Sequence, residues 1–430
     1  MKALFNLNIE EGFFFSRSIS TMKSQLLLIV LFFSFNNSLS AQNERIQYPA
    51  ALSNSYFEIN YGYIDYPFSS ESLEPGYTVE EVHIPRAAPR IVLYGHEFNK
   101  YFAAQISYTR PIFWVRYRII GGTNNYNDSS NHPVFMNIGG LTLKGTLPLG
   151  NYFSIYGEGG LAVVTRTGFH EIDDPALPDV VKDANYASFL FGTGFNYHIN
   201  KNWTLKLSAI YSPSHKKSKQ PHTSHIAAGF AFTMRDIPEE KLAKKREKVK
   251  EHNRVFPLQM IQVGYANNSF GYRVNDFFSE GTVPVFWGGL AHVENGITVQ
   301  YQRNVFHGKK IFSLDWGATV GAWRSVEEKQ EFYSIAVFPL FRFNLLHTKP
   351  FDFYFNYSLA GPALISGKKI DGNETGPAFT FQDYMGAGFF IGKQRTINTE
   401  VRIAHYSNGN LFPNNEGVKI PLTFNLGYTF

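Results

Sequence analysis

The chain has no cysteine, which excludes disulfide frameworks, zinc–thiolate sites and a cysteine nucleophile. Charge is sparse too. Asp, Glu, Lys and Arg make up 17% of 430 residues, and a net charge of +5 is too small at this length to argue for a nucleic-acid partner. The basic residues sit in loops and one linker, where they can equally meet anionic lipid head groups. Beyond the N-terminal region no apolar run is long enough for a membrane-spanning helix. What the chain has instead is aromatic side chains: 41 Phe and 25 Tyr bring the aromatic share to 17%. Mean hydropathy is nevertheless slightly negative, at −0.21. Such a composition suits neither a disordered chain nor a typical cytosolic enzyme. It fits membrane β-barrels, whose strands alternate an apolar, aromatic-rimmed exterior with a polar interior.

The segment Met22-Lys23-Ser24-Gln25, the apolar stretch Leu26 to Phe35 and the small residues up to Ala41 read together as a secretory signal. Residues 1–41 are therefore expected to be an upstream extension plus signal peptide, and the exported chain to begin near Ala41 or Gln42.

Alternating apolar and polar positions then predict strands at 54–66, 88–98, 101–120, 134–148, 151–167, 185–199, 202–213 and 223–234. The connections alternate in length. Asn99-Lys100, Leu149-Gly150 and Asn200-Lys201 are tight turns, whereas 67–87, 121–133, 168–184 and 214–222 are long and polar. Short turns at one end and long loops at the other are the signature of outer-membrane barrels, with the turns periplasmic. The half at 42–236 resembles small eight-stranded barrels of the outer-membrane-protein-A type in architecture. Residues 237–254, with the run Pro238-Glu239-Glu240-Lys241-Leu242-Ala243-Lys244-Lys245-Arg246-Glu247-Lys248-Val249-Lys250-Glu251, favour helix and carry almost no apolar face, so a solvated periplasmic linker is expected there. A second set of strands follows within 255–430, at 257–270, 283–306, 311–324, 331–346, 351–366, 379–392, 396–408 and 416–430. Glu294-Asn295-Gly296 interrupts the second of these. Both barrels must start and finish in the periplasm, which requires an even strand count, so a bulge is expected there rather than a hairpin turn. The fold class is thus all-β: two tandem antiparallel transmembrane barrels of about eight strands each, joined by a charged helical linker. With charged residues from Glu58, Arg116, Arg118, Glu158 and Lys206 pairing in the first lumen and Glu400 and Arg402 facing the second, barrels of this size are filled by side chains rather than open.

The last two strands carry the chemistry. Odd positions from Ile397 to Ser407 and even positions from Glu416 to Phe430 form apolar rows, and His405, Ser407 and Glu416 end those rows at the connecting loop. A His, a Ser and a carboxylate on a lipid-facing surface are costly unless they act on lipid. His405 and Ser407, two apart on one strand, share a face. In an antiparallel hairpin an odd residue of one strand would pair with an even one of the other, which puts Glu416 within reach of both. The segment His405-Tyr406-Ser407-Asn408-Gly409-Asn410-Leu411-Phe412-Pro413-Asn414-Asn415-Glu416-Gly417 resembles the outer-membrane lipid A 3-O-deacylase family, the acyloxyacyl hydrolase-like (PagL-like) barrels, in its His-x-Ser-Asn and following Pro-Asn. The resemblance implies Ser407 as nucleophile, His405 as general base and Glu416 as the residue that orients the imidazole. The candidates for the oxyanion hole are Asn408, the Gly409 N–H and Asn414, and the resemblance favours a Gly–Asn combination; no cofactor and no metal are expected. The substrate implied is lipid A, or lipopolysaccharide, in the outer-membrane bilayer. The connection between Ser407 and Glu416 is shorter than the family's usual one.

Other features are less specific. His215, His222 and His225 flank Lys216-Lys217-Ser218-Lys219 without a carboxylate to complete a ligand set, which reads as a polar loop. Lys368-Lys369 could meet lipid phosphates or solvent. The final Tyr428-Thr429-Phe430 resembles the signal read by the barrel-assembly machinery. The alternative to an esterase is a non-enzymatic tandem barrel with a structural, adhesion or small-solute role.

Overall fold

The computed structural model describes residues 44–121, 126–127, 131–174, 176–279 and 288–430. The signal segment and the start of the expected strand at 283 lie outside them. Eight strands form the first barrel: β1 Ser55–Asp65, β2 Ala87–Glu97, β3 Phe102–Thr109, β4 His132–Leu149, β5 Phe153–Thr167, β6 Ala184–His198, β7 Trp203–Ser212 and β8 Thr223–Thr233. Each pairs with its neighbour in the chain, and β1 closes on β8 from Tyr56↔Thr233 to Asp65↔Ser224. Eight more form the second: β9 Gln259–Asn267, β10 Ala291–His307, β11 Phe312–Ser325, β12 Glu331–His347, β13 Phe351–Ile365, β14 Phe379–Ile391, β15 Ile397–Ser407 and β16 Val418–Thr429, closed by β9 on β16. Closure removes the exposed strand edges that an open sheet would leave in lipid.

The period-2 patterns turn out as expected. On β12, Tyr333, Ile335 and Val337 stand exposed on the outside while Phe332, Ser334 and Ala336 are buried within. The exposed apolar rows of the closed strands form the outward band expected of a membrane barrel; among the described residues no helix is long and apolar enough to cross a membrane. Both lumens are filled by buried charge networks. In the first, Arg90 lies 2.7 Å from Glu158, and Glu58 holds Lys206 and, at 3.6 Å, Lys144. In the second, Arg402 meets Glu400 at 2.7 Å, and Glu400 also accepts from the Tyr354 hydroxyl at 2.7 Å and the Asn356 amide at 2.8 Å. Removing one partner of such a pair would leave an uncompensated buried charge, at about 3–5 kcal/mol. Closed strands holding such networks should survive detergent at room temperature. The protein should therefore migrate faster unheated than boiled on a denaturing gel, from outer-membrane fractions. Recovery as detergent-independent soluble protein would contradict this.

The expected strand 101–120 requires correction. Pro111 interrupts it, and the part beyond, Val115–Gly121, leaves the barrel to pair with Tyr77–His83, a strand inside the expected loop 67–87, and with the first residues of β4. Arg116 and Arg118 are therefore outside the lumen; Arg118 meets Glu81 and, at 3.5 Å, Glu80. At Glu294-Asn295-Gly296 the chain continues as one strand with a register shift against β11 between Val293 and Asn295, the bulge that parity requires.

The linker is helical, α1 Glu239–Glu251, but one side of it is buried rather than solvated. Leu242 and Val249 pack on Ile46, and the Lys245 ammonium donates to the Ile46 carbonyl at 2.6 Å beneath the Phe306 ring. Burial, with Lys309 nearby, pushes the Lys245 pKa down from 10.5 to about 8. Between those values the unfolded chain keeps a proton that the folded one sheds, so packing of the linker gains stability as pH rises through that window. Amide-exchange protection of α1, corrected for intrinsic rates, should increase from pH 7 to pH 9. Lys245→Met should abolish the increase.

Candidate active site

β14 and β15 pair without interruption, which sets His405 across from Asp383 and Ser407 across from Phe381. On its other side β15 meets β16 through a register shift: Arg402 pairs with Thr423, but Ala404 pairs with Ile420 and His405 with Lys419. β16 contributes one extra residue there. The bulge includes Pro421, which has no N–H to offer the ladder. Before the bulge odd residues face even ones, as the parity argument requires; beyond it odd faces odd. Lys419 is thus the residue beside His405. Glu416 lies in the loop ahead of β16, exposed, with its carboxylate accepting from the Glu374 N–H. Its backbone also bonds Glu374 at 3.1 Å and Leu290 at 2.8 Å, so Glu416 ties three loop segments together.

The structure brings His405 and Ser407 to one outward face, and with them a carboxylate that the sequence reading passed over. The Asp383 Oδ2 is 4.0 Å from the His405 Nδ1, an ion-pair rather than a hydrogen-bond distance, and its Oδ1 accepts from the Ala360 N–H at 2.5 Å. A signal for it was present. In the outward row Phe379, Phe381, Asp383, Met385, Ala387, Phe389, Ile391, Asp383 is the one charged residue. The other imidazole nitrogen faces Gly417. A Cβ there would sit 3.0 Å from the His405 Nε2, and the residue's φ of +70° favours glycine in any case.

His405 is not open to lipid, as the outward-facing row had implied, but only 2% exposed, while Ser407 is half-buried. A short helix, α2 Arg273–Ser279, lies over this face: Asn275 donates to the Ile420 carbonyl at 2.9 Å, Asp276 pairs with Lys419 at 2.8 Å, and Phe278 packs against Met385 and Ile403. The physical reason is the cost of leaving an imidazole, a carboxylate and an ammonium bare in hydrocarbon.

The three expected oxyanion donors fare differently. Asn408 is fully buried; its N–H donates to the Asn415 side chain at 2.7 Å, and its amide nitrogen reaches the Pro413 and Asn414 carbonyls at 3.5 Å. Those bonds fold the loop, with Gly409, Asn410 and Asn414 all at positive φ, between +54° and +63°. Asn408 is therefore committed to loop structure, whereas Asn414 is exposed. The three histidines go to separate partners: His215 to Ser218 at 2.8 Å, His222 towards Asp65 at 3.9 Å and His225, on β8, to the Ala88 carbonyl at 3.0 Å. Lys369 pairs with Glu374 at 3.5 Å.

Residues 295–429 match the family model described as lipid A 3-O-deacylase (PagL), and residues 29–233 match the outer membrane protein beta-barrel domain. Among solved structures, the chain is similar to the outer membrane enzyme PagL, with 16% identity over 40% of this chain and 99% of that one and a TM-score of 0.28. Neisserial surface protein A matches at 15% identity over 42% of this chain and 97% of that one, with a TM-score of 0.26. The N-terminal barrel of Pseudomonas aeruginosa OprF matches at 16% over 42% and 98%, with a TM-score of 0.25. No curated protein matches the chain. The protein is an integral outer-membrane protein of two tandem barrels, the second resembling the lipid A deacylase family.

Proposed function

We propose that the second barrel is a serine esterase that removes an ester-linked 3-hydroxyacyl chain from lipid A in the outer leaflet. The observation that carries this reading is the sharing of one outward face by His405 and Ser407, at the loop end of β15 and across from a buried Asp383, within the segment that matches the deacylase model. Ser407 Oγ adds to the ester carbonyl carbon while His405 accepts the hydroxyl proton. The oxyanion so formed is held by the Gly409 N–H and the Asn414 side chain, Asn408 having its amide engaged. Collapse breaks the bond from carbonyl carbon to sugar oxygen, and His405 returns the proton to the departing alkoxide. Water, deprotonated by the same imidazole, then frees Ser407 and releases the 3-hydroxy fatty acid.

Two carboxylates compete to orient the imidazole: Glu416 on the strength of the family resemblance, Asp383 on the strength of its place beside Nδ1. Asp383 is the better placed of the two. The substrate reaches His405 from the membrane side, so α2 has to yield or admit it along its edge. Assembly of the two closed barrels into the membrane would use the barrel-assembly machinery. Mass spectrometry of lipid A from cells with and without the chain is the test. A species lacking one ester-linked chain, present only with the protein, supports the esterase. Identical lipid A in both leaves the non-enzymatic tandem barrel.

A further inference from the structure

The outer wall of the first barrel has a polar interruption at its loop end. Along β4 the outward row runs Phe135, Asn137, Gly139, Leu141, Leu143, and the two leucines are bare, 57% and 67% exposed. Asn137, in the same row, is only 2% exposed. Thr165 of β5 is its cross-strand partner, and Asn185 of β6 is the partner of Thr165, so three polar side chains run side by side across three strands. In lipid such a row would leave amides without partners, at a cost that membrane barrels avoid on this face. Here the loop that follows Ser407 meets the row at Asn185, its exposed end. The Asn185 amide donates to the Leu411 carbonyl at 3.0 Å and to Thr165 at 3.1 Å, and the Tyr108 hydroxyl reaches the Gly409 carbonyl at 3.4 Å. Gly139, cross-strand partner of Tyr108, leaves the space that the Leu411 side chain fills; a Cβ at Gly139 would lie 2.6 Å from the Leu411 Cδ2.

We propose that the first barrel serves as a seat for the oxyanion loop of the second, Asn185 and Tyr108 holding the loop by the Leu411 and Gly409 carbonyls while Gly139 receives Leu411. The contact holds the carbonyl of Gly409, the residue whose N–H the esterase reading assigns to the oxyanion; this part rests on that reading. The first barrel is then a positioning element rather than a second active body. Lipid is the other candidate to cover this face, but an acyl chain would offer no acceptor to the Asn185 amide or the Tyr108 hydroxyl.

The natural absence of cysteine gives a clean test in the full-length chain. Asn185→Cys with Leu411→Cys should cross-link under mild oxidant or a short bis-maleimide in outer membranes. Ile226→Cys with Leu411→Cys, the first of these on the exposed outer face of β8, should not. No excess of the first cross-link over the second would overturn the seat. Gly139→Leu, a residue that an outward strand position otherwise accepts, should lower lipid A deacylation at least ~5-fold in kcat with little change in KM. Adding Leu411→Ala should restore most of it, a recovery that mere destabilisation of the first barrel would not give. Cross-linking together with an unaltered rate for Gly139→Leu would overturn the positioning role. If the unaltered chain removes no acyl chain at all, the esterase reading fails, while cross-linking still decides whether the loop is seated.

Discussion

Ser407→Ala should abolish removal of the acyl chain while leaving a barrel of normal heat-modifiability. Losing the nucleophile leaves only water and whatever binding the site retains, and members of a nucleophile–base pair fail as a unit, so the loss should be at least ~10³-fold in kcat. His405→Ala should be nearly as damaging for the same reason. Folding should be little affected by the serine change. Ser407 is half-buried at a strand end, its strand partner is Phe381, and alanine is small enough for either a lipid-facing or a covered position. The measurement is lipid A mass spectrometry alongside the migration shift of unheated protein. A folded, correctly located Ser407→Ala protein that deacylates at the wild-type rate would falsify the mechanism.

The barrels were legible because a strand with one face in lipid and the other in a filled lumen has to alternate, and alternation survives in sequence whatever the individual residues are. The bulge at Asn295 was legible through an argument about parity rather than about local residues. Three features were not, each for a different reason. Val115–Gly121 alternates as regularly as the barrel strands, so its pattern could not reveal that, past Pro111, it pairs with Tyr77–His83 instead. The cover over His405 is seven residues of helix from a loop between β9 and β10, more than a hundred residues away in sequence, and no periodicity in β15 reports it. Glu416 depended on a register that one residue decides. Pro421 near the start of β16 was the available sign that the ladder breaks there, because a central strand tolerates proline only at a bulge.

That register gives the second large expected effect, a contrast between two carboxylates. Asp383→Asn should cost roughly 10²–10⁴-fold in kcat, with little change in KM. The substitution keeps the shape and keeps an acceptor for the Ala360 N–H, so the backbone of β13 that Asp383 supports is preserved. What changes is the group presented to His405. A carboxylate beside Nδ1 favours the tautomer with its proton on Nδ1, which makes Nε2 the acceptor for the Ser407 proton. An amide NH₂ in the same place favours the opposite tautomer, with Nε2 already protonated and no use as a base. Glu416→Gln should cost less than ~10-fold, because glutamine can still accept from the Glu374 N–H and the side chain is exposed and engaged there. Labelling of Ser407 by a fluorophosphonate gives a second readout that does not depend on lipid binding: it should slow sharply in Asp383→Asn and stay near the wild-type rate in Glu416→Gln. If the pattern is reversed, with Glu416→Gln the crippled protein and Asp383→Asn near normal, then the loop carrying Glu416 must rearrange to bring it to His405 during catalysis. Asp383 would then do no more than support the backbone of β13 at Ala360, where the ladder to β14 shifts register between Ser358 and Gly361.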